Sequence, residues 1–347
     1  MSEKKKINKN IINISIIIII FIVLLIYMIA VDGWQNIIST LKNVQPIWVL
    51  YGLACMIVYW LLEALCLHII TKKIYKNQSF KSSLRVSMIG QLFNCITPFS
   101  SGGQPIQAIV MKADGKSLSN SATILLIKFI VFQATLVIYT LIIIIFRYTY
   151  FKNLVSNFMY LALIGFFINL VVIAFLIAIG INKKLVLKIL VPIFKFLGKI
   201  KILKKPEEKI EDIKHSISKF HNQFKIIKQE KWAIFRAIIY TVVQLTVFFL
   251  VTYMVYKAFG QSGAKVIDII SAQAFLMMIM AFVPIPGAGI AAEGGFLIIF
   301  STFFASNTIN MATLFWRMYT FYLPIIVGTL FMIKSTKKEK EEILKRR

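Results

Sequence analysis

Acidic residues are scarce in this chain: 14 Asp and Glu stand against 40 Lys and Arg, giving a net charge of +26 over 347 residues. Histidine is scarcer still. His68, His215 and His221 are far apart and form no ligand cluster, so neither a metal site nor a Cys–His nucleophile is supported. The three cysteines, Cys55, Cys66 and Cys95, lie in apolar stretches without CxxC spacing. That excludes a disulfide framework and predicts buried thiols. No Walker A run occurs, so ATP hydrolysis has no visible site, and no cofactor is expected. Also missing are the polar intervals that a soluble domain turns toward water. A basic excess in a soluble chain would point to nucleic acid. Here the charges fall between long apolar runs, which excludes that partner and suits loops facing anionic lipid.

What is present is apolar: 59% of the residues are hydrophobic, in runs such as 11–30, 46–70 and 154–181. Each reaches the roughly 20 residues that carry a helix across a bilayer. The spacing predicts an all-α polytopic membrane protein with full spans at 11–30, 46–70, 119–146, 154–181, 232–257 and 309–333. The first run resembles a signal peptide but is too long for an h-region and lacks an A-x-A site, so it reads as an uncleaved anchor. Two further apolar segments, 84–112 and 266–304, are each broken in the middle by glycine and proline.

Lysine and arginine then set the orientation. Residues 1–10 carry four lysines and Glu3, and residues 71–88 carry Lys72, Lys73, Lys76, Lys81 and Arg85. The connection 182–231 has fourteen lysines against five acids, and the tail 334–347 seven basic against three acidic residues. The alternate loops are nearly bare, with Asp32 and Lys42, Arg147 and Lys152, then Lys265 and Asp268. Both termini are expected in the cytoplasm, in a cell-membrane protein, and the alternation closes only if the two broken segments enter and leave on one side. The expected organisation is a cytoplasmic N-terminus 1–10, a first membrane half 11–181 and a basic connection 182–231 along the inner leaflet. A second half 232–333 and a basic tail 334–347 follow. Span–hairpin–span then occurs twice in opposite senses, as in inverted-repeat transporters.

The first break runs Asn94, Thr97, Pro98, Gly102, Gly103, Gln104, Pro105 and Gln107. At membrane depth such backbone must line a wet, protein-enclosed cavity, and a half-helix opening at Pro105 would point its N–H groups at a phosphate. The second break runs Pro284, Pro286, Gly287 and Gly289, with Glu293 opening the next half-helix. Gly287-x-Gly289-x-x-Ala292 mimics a dinucleotide fingerprint, but no strand precedes it and no acid follows at the required distance.

Glu63, Lys128, Arg236, Glu293 and Arg317 are the ionisable residues within apolar elements. Such residues are functional candidates by default. Arg236, near the start of its span, is expected to snorkel. Lys128 and Arg317 recur at matching places: 30 positions separate Pro98 from Lys128, and 31 separate Pro286 from Arg317. Two roles stay open for this pair, binding a lipid phosphate and holding the bundle through ion pairs with Glu63 and Glu293.

Asn94-x-x-Thr97-Pro98-x-x-x-Gly102-Gly103-x-Pro105, Pro284-x-Pro286-Gly287-x-Gly289-x-x-x-Glu293 and Trp316-Arg317 before Pro324 together resemble the lysylphosphatidylglycerol synthetase/flippase membrane-domain family. That family includes the membrane half of the multiple peptide resistance factor. The resemblance covers most of the chain and implies translocation of a phospholipid, such as aminoacylated phosphatidylglycerol, between leaflets. Lys128, Arg317, Gly102, Gly103 and Gln104 would meet the phosphate, with Glu63, Glu293, Asn94, Thr97 and Gln107 at the headgroup. Members often carry an acid and an arginine where this chain has Gln104 and Gln107. Bifunctional members add a soluble aminoacyltransferase. The fourteen residues after the last expected span leave no room for one, so the transferase label is expected to describe the family. A separate lipid-modifying synthase would then be the partner. A lysyltransferase-type enzyme and a carrier of glycolipid or polyprenyl-phosphate sugar are the alternatives, and the oligomeric state is open.

Overall fold

A long apolar run in hydrocarbon becomes helix because its backbone polar groups can be satisfied only within the segment itself. The computed structural model describes residues 34–154, 156–199, 206–280 and 289–345, where every regular element is helical and no strand occurs. The expected N-terminus 1–10 and span 11–30, and the break residues Pro284, Pro286 and Gly287, lie outside the described residues. In chain order the helices are α1 (Trp34–Lys42), α2 (Pro46–Ile74), α3 (Phe80–Ile96), α4 (Gly103–Ala113), α5 (Leu118–Leu154), α6 (Ser156–Ile181) and α7 (Lys183–Lys199). Then come α8 (Pro206–Gln229), α9 (Lys231–Ala258), α10 (Val266–Met280), α11 (Gly289–Phe300), α12 (Ile309–Arg317) and α13 (Leu323–Lys345). Among the described residues, five helical stretches are long and apolar enough to cross a bilayer: Pro46–Ile74, Leu118–Arg147, Leu163–Ile181, Lys231–Ala258 and Ile309–Lys334. They coincide with the expected spans from 46–70 onward, the third starting nearer 163 than 154.

Helices α2 and α9 form the spine. The Gln45 N–H donates to the Ala258 carbonyl at 2.8 Å, the Cys66 thiol to the Ala237 carbonyl at 3.6 Å, and Lys73 meets Glu230 at 2.5 Å. Residue numbers rise along α2 as they fall along α9, so the two run antiparallel along their whole lengths. Tyr59 packs on Phe248 between these tie points, with ring centroids 5.1 Å apart.

Helices α3 and α4 fold back on one another as a hairpin. With 17 and 11 residues, its arms measure about 25 and 16 Å, short of the roughly 30 Å hydrocarbon core. The arms pack closely because Gly90 lies under the Gln107 side chain and Gly103 under Asn94. At the open end Asp114 bonds to Arg85 and to the Ser82 hydroxyl, the latter at 2.7 Å. At the closed end a 3-10 turn, Pro98–Ser100, holds Phe99 at φ 54° and Ser100 at φ 51°. Left-handed backbone at an aromatic residue is strained and persists only where surrounding structure fixes it. Helices α10 and α11, of 15 and 12 residues, pack together with Leu276 against Gly295. Gly328 lets α13 approach α3, facing the Met88 carbonyl and Leu92.

The last expected span is not a plain α-helix. Met318–Tyr322 form a π turn between α12 and α13. Pro324 supplies the reason: it has no N–H for the Thr320 carbonyl and its ring crowds that carbonyl, which widens the preceding turn. The connection 182–231 forms two helices. Leu185, Ile189, Ile193 and Phe196 make an exposed apolar stripe along α7, while α8 packs back on α6 and α5.

Candidate functional site

The helices of both halves line a partly open cavity of about 570 Å³. From the first half it is lined by Glu63 on α2, Asn94 on α3, Phe99 and Ser100 at the hairpin tip, Gln104 and Gln107 on α4, and Lys128 on α5. From the second half come Gln244 on α9, Gln273 and Met277 on α10, and Trp316, Arg317, Thr320 and Pro324 around the π turn. The volume falls within the range typical of small-molecule sites.

Both cations within it are paired. Lys128 Nζ donates to Glu63 Oε1 at 2.7 Å, and Gln91 donates to the other carboxylate oxygen. Arg317 Nε donates to Glu293 Oε1 at 3.1 Å, with the guanidinium 4.5 Å from the Phe321 ring centroid. Arg317 is 2% exposed, held between the Phe321 ring and the Glu293 carboxylate. The ion pairs expected as one of two roles for these residues are therefore present. Arg236, by contrast, lies exposed on α9 with Nε on the Trp232 carbonyl.

The remaining expected residues separate into lining and support. Asn94, Gln104 and Gln107 face the cavity, whereas Thr97, Gly102, Gly103, Pro98, Pro105 and Glu293 are not among the lining residues. The Gly102 N–H donates to the Thr97 hydroxyl at 2.8 Å, and the Gly103 N–H to Asn94 Oδ1 at 3.1 Å. The half-helix opens with these two donors capped from within, so the glycines serve close packing and the cavity wall is made by side chains. Gly289 begins α11.

Sequence reasoning missed most of the amides. Gln91, Gln133, Asn169, Gln244 and Gln273 line the cavity alongside Asn94, Gln104 and Gln107. Gln133 donates to Asn169 at 3.0 Å, and Gln273 accepts from the Thr252 hydroxyl at 2.8 Å. The available signal was amides in otherwise apolar spans; a search confined to ionisable residues passes over them.

A family model described as the lysylphosphatidylglycerol synthase TM region matches residues 12–328. A UPF0104 membrane protein of Archaeoglobus fulgidus is 23% identical over 309 residues, covering 87% of this chain and 90% of the relative. A second UPF0104 membrane protein, from Methanocaldococcus jannaschii, is 25% identical over 338 residues, covering 95% of this chain and 96% of the relative.

Proposed function

Since the chain belongs to the lysylphosphatidylglycerol synthase TM-region family, a multi-pass membrane protein family, we propose that it moves a phospholipid between the leaflets of the cell membrane. The observation that carries this reading is convergence: Lys128 from the first half and Arg317 from the second line the same cavity. The lipid phosphate would meet these two cations. Each cation would loosen its hold on Glu63 or Glu293 as the phosphate arrives, and the acyl tails would stay in the bilayer.

An inverted-repeat arrangement of the two halves would fit the same reading. α2 and α9 each precede a hairpin, and they run antiparallel. The first arm of one hairpin packs on the span that follows the other: α3 against α13, and α10 against α5. This reciprocal exchange is what two halves related by an axis in the membrane plane would produce, and a substrate would then sit at their interface. Both termini and the α7–α8 connection would face the cytoplasm.

Proteoliposomes containing fluorescent phospholipid test the proposal by dithionite bleaching of the outer leaflet. Lys128→Gln keeps a donor for Glu63 and deletes the charge, and thermal unfolding in detergent checks that the variant is folded before rates are compared. Transport should fall roughly tenfold or more, the scale of a lost charge-assisted hydrogen bond. Equal rates for the two proteins would remove Lys128 from the pathway.

A further inference from the structure

The charges at the cavity are paired, Glu63 with Lys128 on its wall and Arg317 with Glu293 behind the wall. What it holds in surplus is neutral amide. Gln107 is 3% exposed, lines the cavity and makes no hydrogen bond with any described residue. Gln104 beside it is also unbonded. Its amide atoms are open to the cavity, and so are available to whatever enters it. The two sit one helical turn apart on α4, Gln107 buried and Gln104 half-buried, and both line the cavity.

The two halves differ at this point. Glu293 lies 24 positions before Arg317, and the residue 24 positions before Lys128 is Gln104. The second hairpin thus supplies a carboxylate for its cation, whereas the first supplies an amide. Lys128 takes its carboxylate from α2 instead, as Glu63. That leaves Gln104 and Gln107 for something other than an ion pair.

The chemistry of the group they fit follows from the amide itself, which carries two donors and one acceptor oxygen. A phosphate only accepts, and an ammonium only donates. A hydroxyl does both, and adjacent hydroxyls repeat the pattern at the spacing of neighbouring glutamines. An ammonium-bearing headgroup would need a free carboxylate, and both carboxylates at this site are engaged. We infer that the headgroup received here is an uncharged polyhydroxyl group, a sugar or polyol, hydrogen-bonded by Gln104 and Gln107. This rests on the proposal that the cavity receives a lipid headgroup, and it names the class of that headgroup. With the lipid phosphate at Lys128 and Arg317, the hydroxyls would lie along α4.

The test is lipid binding in detergent, read as thermal stabilisation of the purified full chain. Four probes separate the chemistries: phosphatidylinositol (hydroxyls on a phosphate), glucosyl diacylglycerol (hydroxyls alone), phosphatidic acid (phosphate alone) and lysylphosphatidylglycerol (ammonium groups). Phosphatidylinositol should bind at least about tenfold tighter than lysylphosphatidylglycerol and phosphatidic acid, the discrimination expected of a site built to bond hydroxyls. Glucosyl diacylglycerol binding equal to phosphatidylinositol would place all the recognition on the hydroxyls, in keeping with the inference. Gln107→Leu, of similar volume, should weaken phosphatidylinositol about tenfold while the lipid-free melting temperature holds, since this amide bonds no described protein group. Three results overturn the inference: lysylphosphatidylglycerol binding as tightly as phosphatidylinositol, unchanged binding in Gln104→Leu/Gln107→Leu, or a lower lipid-free melting temperature in Gln107→Leu. Selective binding with no leaflet exchange in proteoliposomes would instead reject translocation and leave headgroup recognition standing.

Discussion

Arg317→Met is expected to destabilise the protein by about 3–5 kcal/mol, the cost of leaving a buried carboxylate without its partner. Arg317 is 2% exposed and Glu293 8%, and the Trp316 and Phe321 rings flank the guanidinium. Water can therefore do little to rehydrate Glu293 once the guanidinium is gone. Glu293→Gln should cost a comparable amount by stranding the cation. The double variant Glu293→Leu/Arg317→Met removes both charges, and its stability should return to within about 1 kcal/mol of wild type or exceed it, because well-packed apolar residues replace buried ion pairs without loss. Thermal unfolding in detergent gives all three values. Transport separates structure from function: the double variant should fold and fail to move lipid. A double variant that moves lipid at the wild-type rate would make the pair a scaffold element only.

How much of this was legible in the sequence depends on the range of the interaction. The spans could be read because hydrophobic length is a local property, and so could the hairpin of α3 and α4, because Gly102, Gly103 and Pro105 interrupt an apolar run within a few residues. The charge spacing from Pro98 to Lys128 and from Pro286 to Arg317 placed two cations at matching positions in the chain, and both line the cavity. The choice between phosphate ligand and ion pair was not legible, since it depends on Glu63 approaching Lys128 across 65 positions of chain. The amide wall was hidden for the same reason: Gln133, Gln244 and Gln273 belong to three helices and share a cavity only once these pack. The capped N–H groups of Gly102 and Gly103 were missed because their acceptors, Thr97 and Asn94, reach them across the 3-10 turn. The π turn was half legible. Pro324 announces a disturbance four residues upstream, but proline alone does not distinguish a kink from a widened turn.

The other large effect is expected at Gly103. A Cβ at this position would strike the Asn94 side chain and stand 2.8 Å from the Gly90 carbonyl oxygen. Asn94 could swing away, but it accepts the Gly103 N–H, so the movement would leave that donor buried and unpaired. The Gly90 carbonyl belongs to the facing helix and cannot move without separating α3 from α4. Overpacking and the lost cap together should cost about 2–4 kcal/mol in Gly103→Ala, lowering the melting temperature by ~4–10 °C. Gly294→Ala is the matched control in the other hairpin: nothing lies within 4 Å of its added methyl, and alanine in a helix interior should stabilise by about 0.5–1 kcal/mol. If close packing of the first hairpin sets the position of Gln104 and Gln107, Gly103→Ala should also abolish lipid movement at temperatures well below its own unfolding. Gly103→Ala with wild-type stability and transport would mean that α3 and α4 have room to part, and that the cavity wall does not depend on their contact.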